Sequence, residues 1–368
     1  MAGQPGFFDL DRRYAALSAA GDPLERLAMV VDLELFRAEL ETALERSDRS
    51  KGGRPPYDAV LMFKVLHGTA GLFGYSQGAA DALHPLGRSD RVPDPGPAVA
   101  HALRRLGAGG PVPDAKTLWL CREQLTRAGA IERLFVRFDR VLREAGSLAM
   151  GGQIVDATVV PARRPRLTRG EKATIKDGGV PEGWSPAKRA QMDTEGRWTL
   201  KRGRKRSAAP SARTRSELVI PVFGYKNHLG IDRRHGFIRS PAVTDAARHD
   251  GRQLGRLLDP KNTASAVRAD SAYRSAANVA LLARRGLVPQ FQRPKPLGRS
   301  MPPHIMRGNA SRARVRVAIE HVFAAQKCRL GLVIRSIGLA RATARLGLAN
   351  LVTNMTRLVW FATRAAPA

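Results

Sequence analysis

Residues 151–160, GGQIVDATVV, constrain the fold more than any other stretch, because they set one acid, Asp156, inside an apolar, β-branched run. Ile154, Val155, Val159 and Val160 have the character of a strand buried on both faces. A carboxylate in such a place is costly unless hydrogen-bond donors, a basic partner or a metal ion satisfy it. Taken alone, the stretch also fits an Asp that leaves the strand and caps the next turn. Two later acids weigh on that choice.

Charge narrows the class of partner. The chain of 368 residues carries a formal net charge of +30. An excess of this size points to a polyanion, since each phosphate neutralised releases a condensed counterion. The start, MAGQPGFFDLDRR, lacks the layout of a signal peptide, and no run of about 18 uncharged apolar residues occurs, so no membrane partner is expected. Two cysteines, Cys121 and Cys328, are too few for a disulfide framework or a Cys-based zinc site, which fits a reducing cytoplasm. His228, His235, His249 and His321 show no recurring ligand spacing that would suggest zinc on imidazole.

Along the chain, 24–47 has apolar residues at helical spacing, and 57–71 restarts a helix with Asp58 at its positive end. From Gln77 to Gly110 half of the residues are Gly, Ala or Pro, and periodicity disappears. Order returns at Val112, where Asp114 can cap one helix, and a second helix ends at Gly146. Residues 1–147 therefore predict an all-helical N-terminal domain with one anomalous stretch. Residues 148–368 predict an α/β catalytic domain built on a mixed sheet. Within it, 161–217 is rich in Arg, Lys, Pro and Ser and reads as an extended basic insertion; its KRGRKR run holds Arg202, Arg204, Lys205 and Arg206 as candidate phosphate contacts. A hairpin is expected from 218–231 and 236–243, with Lys226 on its first strand as a further candidate DNA contact. Asp250 reads as the cap of the helix GRQLGRLL. A strand then ends at Asp270, a helix covers 275–285, a strand 287–292, and long helices 314–329 and 341–363, with a loop over 293–313.

The chemistry converges on three acids. Asp156 lies on the first strand of the catalytic part, Asp270 ends a later one, and Glu320 sits on the helix 314–329. A mixed sheet can set the first two side by side while a packing helix projects the third. Carboxylates so gathered repel one another unless divalent cations lie between them. Magnesium suits such a site, and two ions about 4 Å apart can activate the attacking oxygen and stabilise the leaving one in phosphodiester cleavage. Arg316, Glu320 and Lys327 follow one another at spacings of four and seven, which puts all three on one helical face.

The motifs GGQIVDATVV, FGYKNHLGIDRRHGFI, VTDAARHD, RADSAYRS and RVAIEHVFAAQK, with the tail GLANLVTNMTRL, resemble bacterial insertion-sequence transposases of the DDE class, in the insertion-sequence-five group. The resemblance covers about 112–362 closely and 20–66 more loosely, and it adds a DNA-binding role for the helical N-terminal domain. It implies a ribonuclease H-like fold, with the DDE triad on Asp156, Asp270 and Glu320 acting also as metal ligands. It implies two Mg²⁺ ions, with Mn²⁺ as a substitute, and cleavage and strand transfer on double-stranded DNA at the inverted-repeat ends of the element. A homodimer pairing two ends, in the prokaryotic cytoplasm at the nucleoid, follows from the same likeness. In the wider family a Tyr, an Arg and a Lys accompany the Glu; Arg316 and Lys327 match, whereas the Tyr position holds Ala313.

A larger departure is 77–110, where the resemblance leads one to expect a charged, helical stretch with aromatics. A pair of compensating frameshifts in a GC-rich gene would leave such a segment between correct flanks. The alternative to an active enzyme is therefore a catalytically silent, DNA-binding remnant of one. A general ribonuclease H-like nuclease would have no use for the helical domain or the basic insertion.

Overall fold

The computed structural model describes residues 23–44, 55–71, 113–204, 217–262, 264 and 266–365. The anomalous 77–110 stretch, Lys205 and Arg206 lie outside the described residues. The chain divides into two compact units, one of Met1–Leu148, Ala324–Leu332 and Gly347–Ala368, the other of Ala149–Phe323 and Val333–Leu346.

In the first unit, helices α1 (Pro23–Val30), α2 (Arg37–Ala43), α3 (Ala59–Gly71), α4 (Ala115–Arg127) and α5 (Ala130–Glu144) follow in order. Their apolar faces meet around Phe36, whose ring lies 5.0 Å from Phe63 and 6.3 Å from Phe138, with all three buried. Polar groups fix the ends. Asp114 Oδ1 accepts from the Thr117 N–H at 2.7 Å, capping α4. Asp58 accepts from the Leu61 N–H at 2.9 Å and pairs with Arg37 at 2.6 Å, which ties α3 to α2. Gly146, at φ 79°, takes the left-handed turn that ends α5. Residues 324–332 and 347–368, assigned from sequence to the catalytic part, cluster with these helices instead. Buried Gln326 donates to Asn350 at 2.8 Å, and a Cβ on Gly347 would stand 2.8 Å from Ile131 Cγ2, so close approach requires glycine there.

The second unit is built on a mixed sheet. Its strands are β1 (Gln153–Pro161), β2 (Arg197–Arg204), β3 (Glu217–Asp232), β4 (Ile238–Asp245), β5 (Ala266–Ala269) and β6 (Val288–Phe291), ordered β2-β3-β1-β5-β6 with β4 also on β3. β1 runs antiparallel to β3 and parallel to β5, and β5 runs parallel to β6. This mixed α/β arrangement is consistent with the ribonuclease H-like fold that the resemblance implies. Short helices α6 (Arg169–Lys176), α7 (Pro186–Gln191) and α8 (Leu254–Leu257) and the longer α9 (Ala276–Arg284) connect the strands. Val155, Val267, Ala269 and Tyr273 form one buried core with Leu254, Leu257 and Phe291. A Cβ on Gly230 would fall 2.1 Å from Leu257 O, so β3 and α8 touch through their backbones.

Two expectations are corrected. The segment after β1 is not an extended loop up to 217: α6 and α7 fold within it, and β2 pairs antiparallel with β3 from Arg197↔Gly224 to Arg204↔Glu217. The long helix of the acid-bearing segment, α10, runs Pro303–Cys328, starting eleven residues before the expected 314. Proline at the opening position of a helix loses no bond that the helix would have made, so the proline-containing stretch starts the helix rather than delaying it. The last helix, α11, spans Leu339–Ala365.

Candidate active site

Three elements bring the acids together. Ile154 pairs with Arg268 across the parallel β1–β5 ladder. Two residues further along each chain stand Asp156, within β1, and Asp270, just past the carboxyl end of β5, level with each other. Asp156 is nearly buried, and its Oδ1 accepts from the Ala157 N–H at 2.8 Å. Asp270, just past β5, caps the single turn Ser271–Tyr273 by accepting from the Ala272 N–H at 2.9 Å. From α10, Arg316 bridges two acids: Nη1 donates to Asp156 Oδ2, and Nη2 lies 2.8 Å from Glu320 Oε1. Glu320 remains half exposed at the rim.

Burial dominates the electrostatics. It raises the Asp156 carboxyl to about 6, against the opposing Arg316 guanidinium, while the charges of Asp270 and Asp250 add to the rise. Burial also raises Asp270, opposed by its bond from Ala272. The Tyr273 phenol is pushed up by burial and then by Asp156, Asp250 and Asp270. Asp156, Asp250 and Asp270 therefore act within one shared field.

Asp250 went unseen from sequence as a member of this group. Its expected role, capping the next helix, is filled by His249, whose Nδ1 accepts from the Gly251 N–H at 3.2 Å. Asp250 Oδ1 instead lies 2.8 Å from Lys226 Nζ, which also donates to Arg248 O at 2.7 Å. Lys226 is thus held by protein groups. The Thr244 hydroxyl donates to Asp245 O at 2.9 Å and stands 2.8 Å from His228 Nε2. His228 Nδ1 lies 3.9 Å from Asp250 Oδ1. Burial lowers His228 to about 4, so the ring is neutral at pH 7. The signal for Asp250 lay in VTDAARHD followed by glycine, a short polar run between a strand and a helix.

The other candidates are dispersed. Arg202 and Arg204 lie on β2. Lys327 is in the last turn of α10, within the first unit, and exposed. Ala313, at the Tyr position of the resemblance, is helical.

The donor set fits a hard divalent cation. Asp156, Asp250, Asp270 and Glu320 offer only carboxylate oxygens, and buried Tyr273 Oη, His228 Nδ1 and Arg316 Nε have no hydrogen-bond partner. Among the described residues no three acid or imidazole groups already stand in ion-holding geometry; Arg316 spans the gap between Asp156 and Glu320.

Two level aspartates on adjoining parallel strands, linked through Arg316 to a helical glutamate, make a carboxylate group of the kind that suits a hard divalent cation. Residues 148–355, more than half of the chain, match the family described as Transposase DDE domain, and residues 12–76 match Transposase domain (DUF772). The chain belongs to the DDE transposases, insertion-sequence enzymes that act on DNA and as a family use divalent metal ions. No solved structure matches the chain significantly. Among the described residues no helix is long and apolar enough to cross a membrane.

Proposed function

We propose that Asp156, Asp270 and Glu320 are the DDE triad of an insertion-sequence-five-type transposase that cleaves the terminal inverted repeats of its element and transfers the strand to target DNA. The observation that carries this reading is the Arg316 guanidinium shared by Asp156 and Glu320, with Asp270 level with Asp156 on the neighbouring strand. The three carboxylates would hold Mg²⁺, as two ions, with Mn²⁺ as a substitute. Metal held there supplies Lewis-acid activation of the attacking and leaving oxygens. The protein's own contribution is positional. β1 and β5 set two carboxylates side by side, and the buried surroundings would strengthen their hold on a cation relative to water. Arg316, which lies between Asp156 and Glu320, would be the guanidinium nearest the bound cation and a scissile phosphate.

Lys327, Arg202, Arg204, Lys205 and Arg206 contact DNA phosphates in this reading, the N-terminal helices form the DNA-binding domain, and a homodimer pairs two transposon ends at the nucleoid. Lys226 joins them only if it leaves Asp250. In a strand-cleavage assay on a terminal-repeat duplex, Ala at Asp156, Asp270 or Glu320 should abolish Mg²⁺-dependent cutting and leave duplex affinity within about threefold. Retained cutting in all three variants would remove the triad. The Gly/Ala/Pro-rich 77–110 stretch favours a second reading, a silent DNA-binding remnant. Absence of cutting by the unaltered protein on the same duplex, with binding intact, would establish it.

A further inference from the structure

We propose that Asp250 is a fourth working carboxylate of this site, ranged with Asp156 and Asp270 on the divalent cation. The inference rests on the reading that these acids hold such a cation. Its geometry comes from two abutting turns. A Cβ on Gly251 would fall 2.5 Å from Ala272 O, so the backbone beside Asp250 lies hard against the turn that follows Asp270. Asn278 Nδ2 clamps the pair by donating to Gly251 O at 2.9 Å and to Tyr273 O at 2.8 Å. Asp250 is thereby fixed beside Asp270 independently of its own side-chain bonds.

A mere ion pair with Lys226 does not account for what surrounds it. His228 Nδ1 is buried without a hydrogen-bond partner and stands 3.9 Å from Asp250 Oδ1, beyond bonding reach, so a polar nitrogen beside the carboxylate is left unsatisfied. Tyr273, fully buried, aims a hydroxyl without a partner into the same group of acids. Buried polar groups are costly in this condition unless a ligand completes them. The carboxylates of Asp156, Asp250, Asp270 and Glu320 outnumber the cations paired with them, Arg316 and Lys226, so the group favours a further positive charge. Lys226 is then an internal counter-ion of Asp250, in competition with the metal.

That competition gives two variants opposite signs. Mn²⁺ binding to the full-length protein without DNA, measured by titration calorimetry, should weaken about tenfold or more in Asp250→Asn. It should tighten severalfold in Lys226→Met, which frees the carboxylate, and Asp250→Glu should recover part of the lost affinity. A structural pair would instead weaken binding in both variants or leave it unchanged in both, and either result overturns the proposal. If Asp250→Asn does not fold, the Lys226→Met arm decides alone. Asp156→Asn and Asp270→Asn separate the two claims. Wild-type Mn²⁺ affinity in both of these means that the cation reading itself fails. Loss in both, with unchanged affinity in Asp250→Asn, removes only the fourth carboxylate.

Discussion

Asp156 sits where its charged form is disfavoured, and that has a consequence for the metal-free protein. Burial raises it from 3.8 to about 6. The folded state then binds this proton more tightly than the unfolded state, so stability gained from this group increases as pH falls from above 6 toward 4. Above pH 6 the ionised carboxylate costs about 3 kcal/mol by the same linkage. His228 has the opposite sign. Its value falls from 6.5 to about 4, so the folded state resists protonation and loses stability as pH drops through that window. The two partly cancel in the wild type. Comparing wild type with Asp156→Asn isolates the aspartate. In chelator-treated protein near pH 7.5 the variant should be more stable by about 1–3 kcal/mol, a trade of activity for stability. The difference should close toward pH 4, as read by calorimetric Tm; a gap independent of pH would refute this account. Asp156, Asp270 and Glu320 were legible because each occupies a recognisable element. The nearness of Asp250 to these acids was not, because it comes from a backbone contact between Gly251 and Ala272 in separate turns.

At the scale of elements, regular apolar periodicity was readable and polar organisation was not. The β3–β4 hairpin, α9 and α11 lie within a few residues of where their patterns place them. The segment after β1 has no such pattern, yet it folds around one side chain. Glu171 accepts from Trp184 Nε1 at 2.6 Å, from Lys188 Nζ at 2.7 Å and from the Thr168 N–H at 2.8 Å, while the Thr168 hydroxyl accepts from the Glu171 N–H in return. That capping box starts α6 and ties it to α7. The Lys188 and Trp184 bonds hold its carboxyl down at about 2, so it is ionised at neutral pH. Glu171→Ala should therefore loosen 168–191 locally. Hydrogen exchange there should approach the rate of unstructured chain, while β1 and β5 keep their protection. Protection retained over 168–191 would show that the β2–β3 ladder, not the glutamate, organises the segment.

Taken whole, the molecule is a strong polycation, and the DNA contacts proposed for its basic segment are open to measurement. The net charge of +30 exceeds anything the acidic site needs. Arg202 and Arg204 extend along β2, an outer strand of the sheet, and Lys205 and Arg206 follow directly in the chain. The ladder to β3 fixes the backbone at Arg202 and Arg204, so ordering it on a phosphate backbone would cost less entropy than ordering a free loop. Counterion release makes the number of contacts measurable, because log K falls against log salt with a slope of about −0.9 for each phosphate neutralised. Replacing Arg202, Arg204, Lys205 and Arg206 by Gln should reduce the magnitude of that slope by about 3–4 for a terminal-repeat duplex in chelator. Mg²⁺-dependent cutting at saturating protein should persist, since none of the four belongs to the carboxylate group. A slope unchanged within about one unit would mean that the row is solvated and that DNA is held elsewhere on the chain. An unchanged slope joined to lost cutting would instead assign the segment to assembly of the cleaving complex.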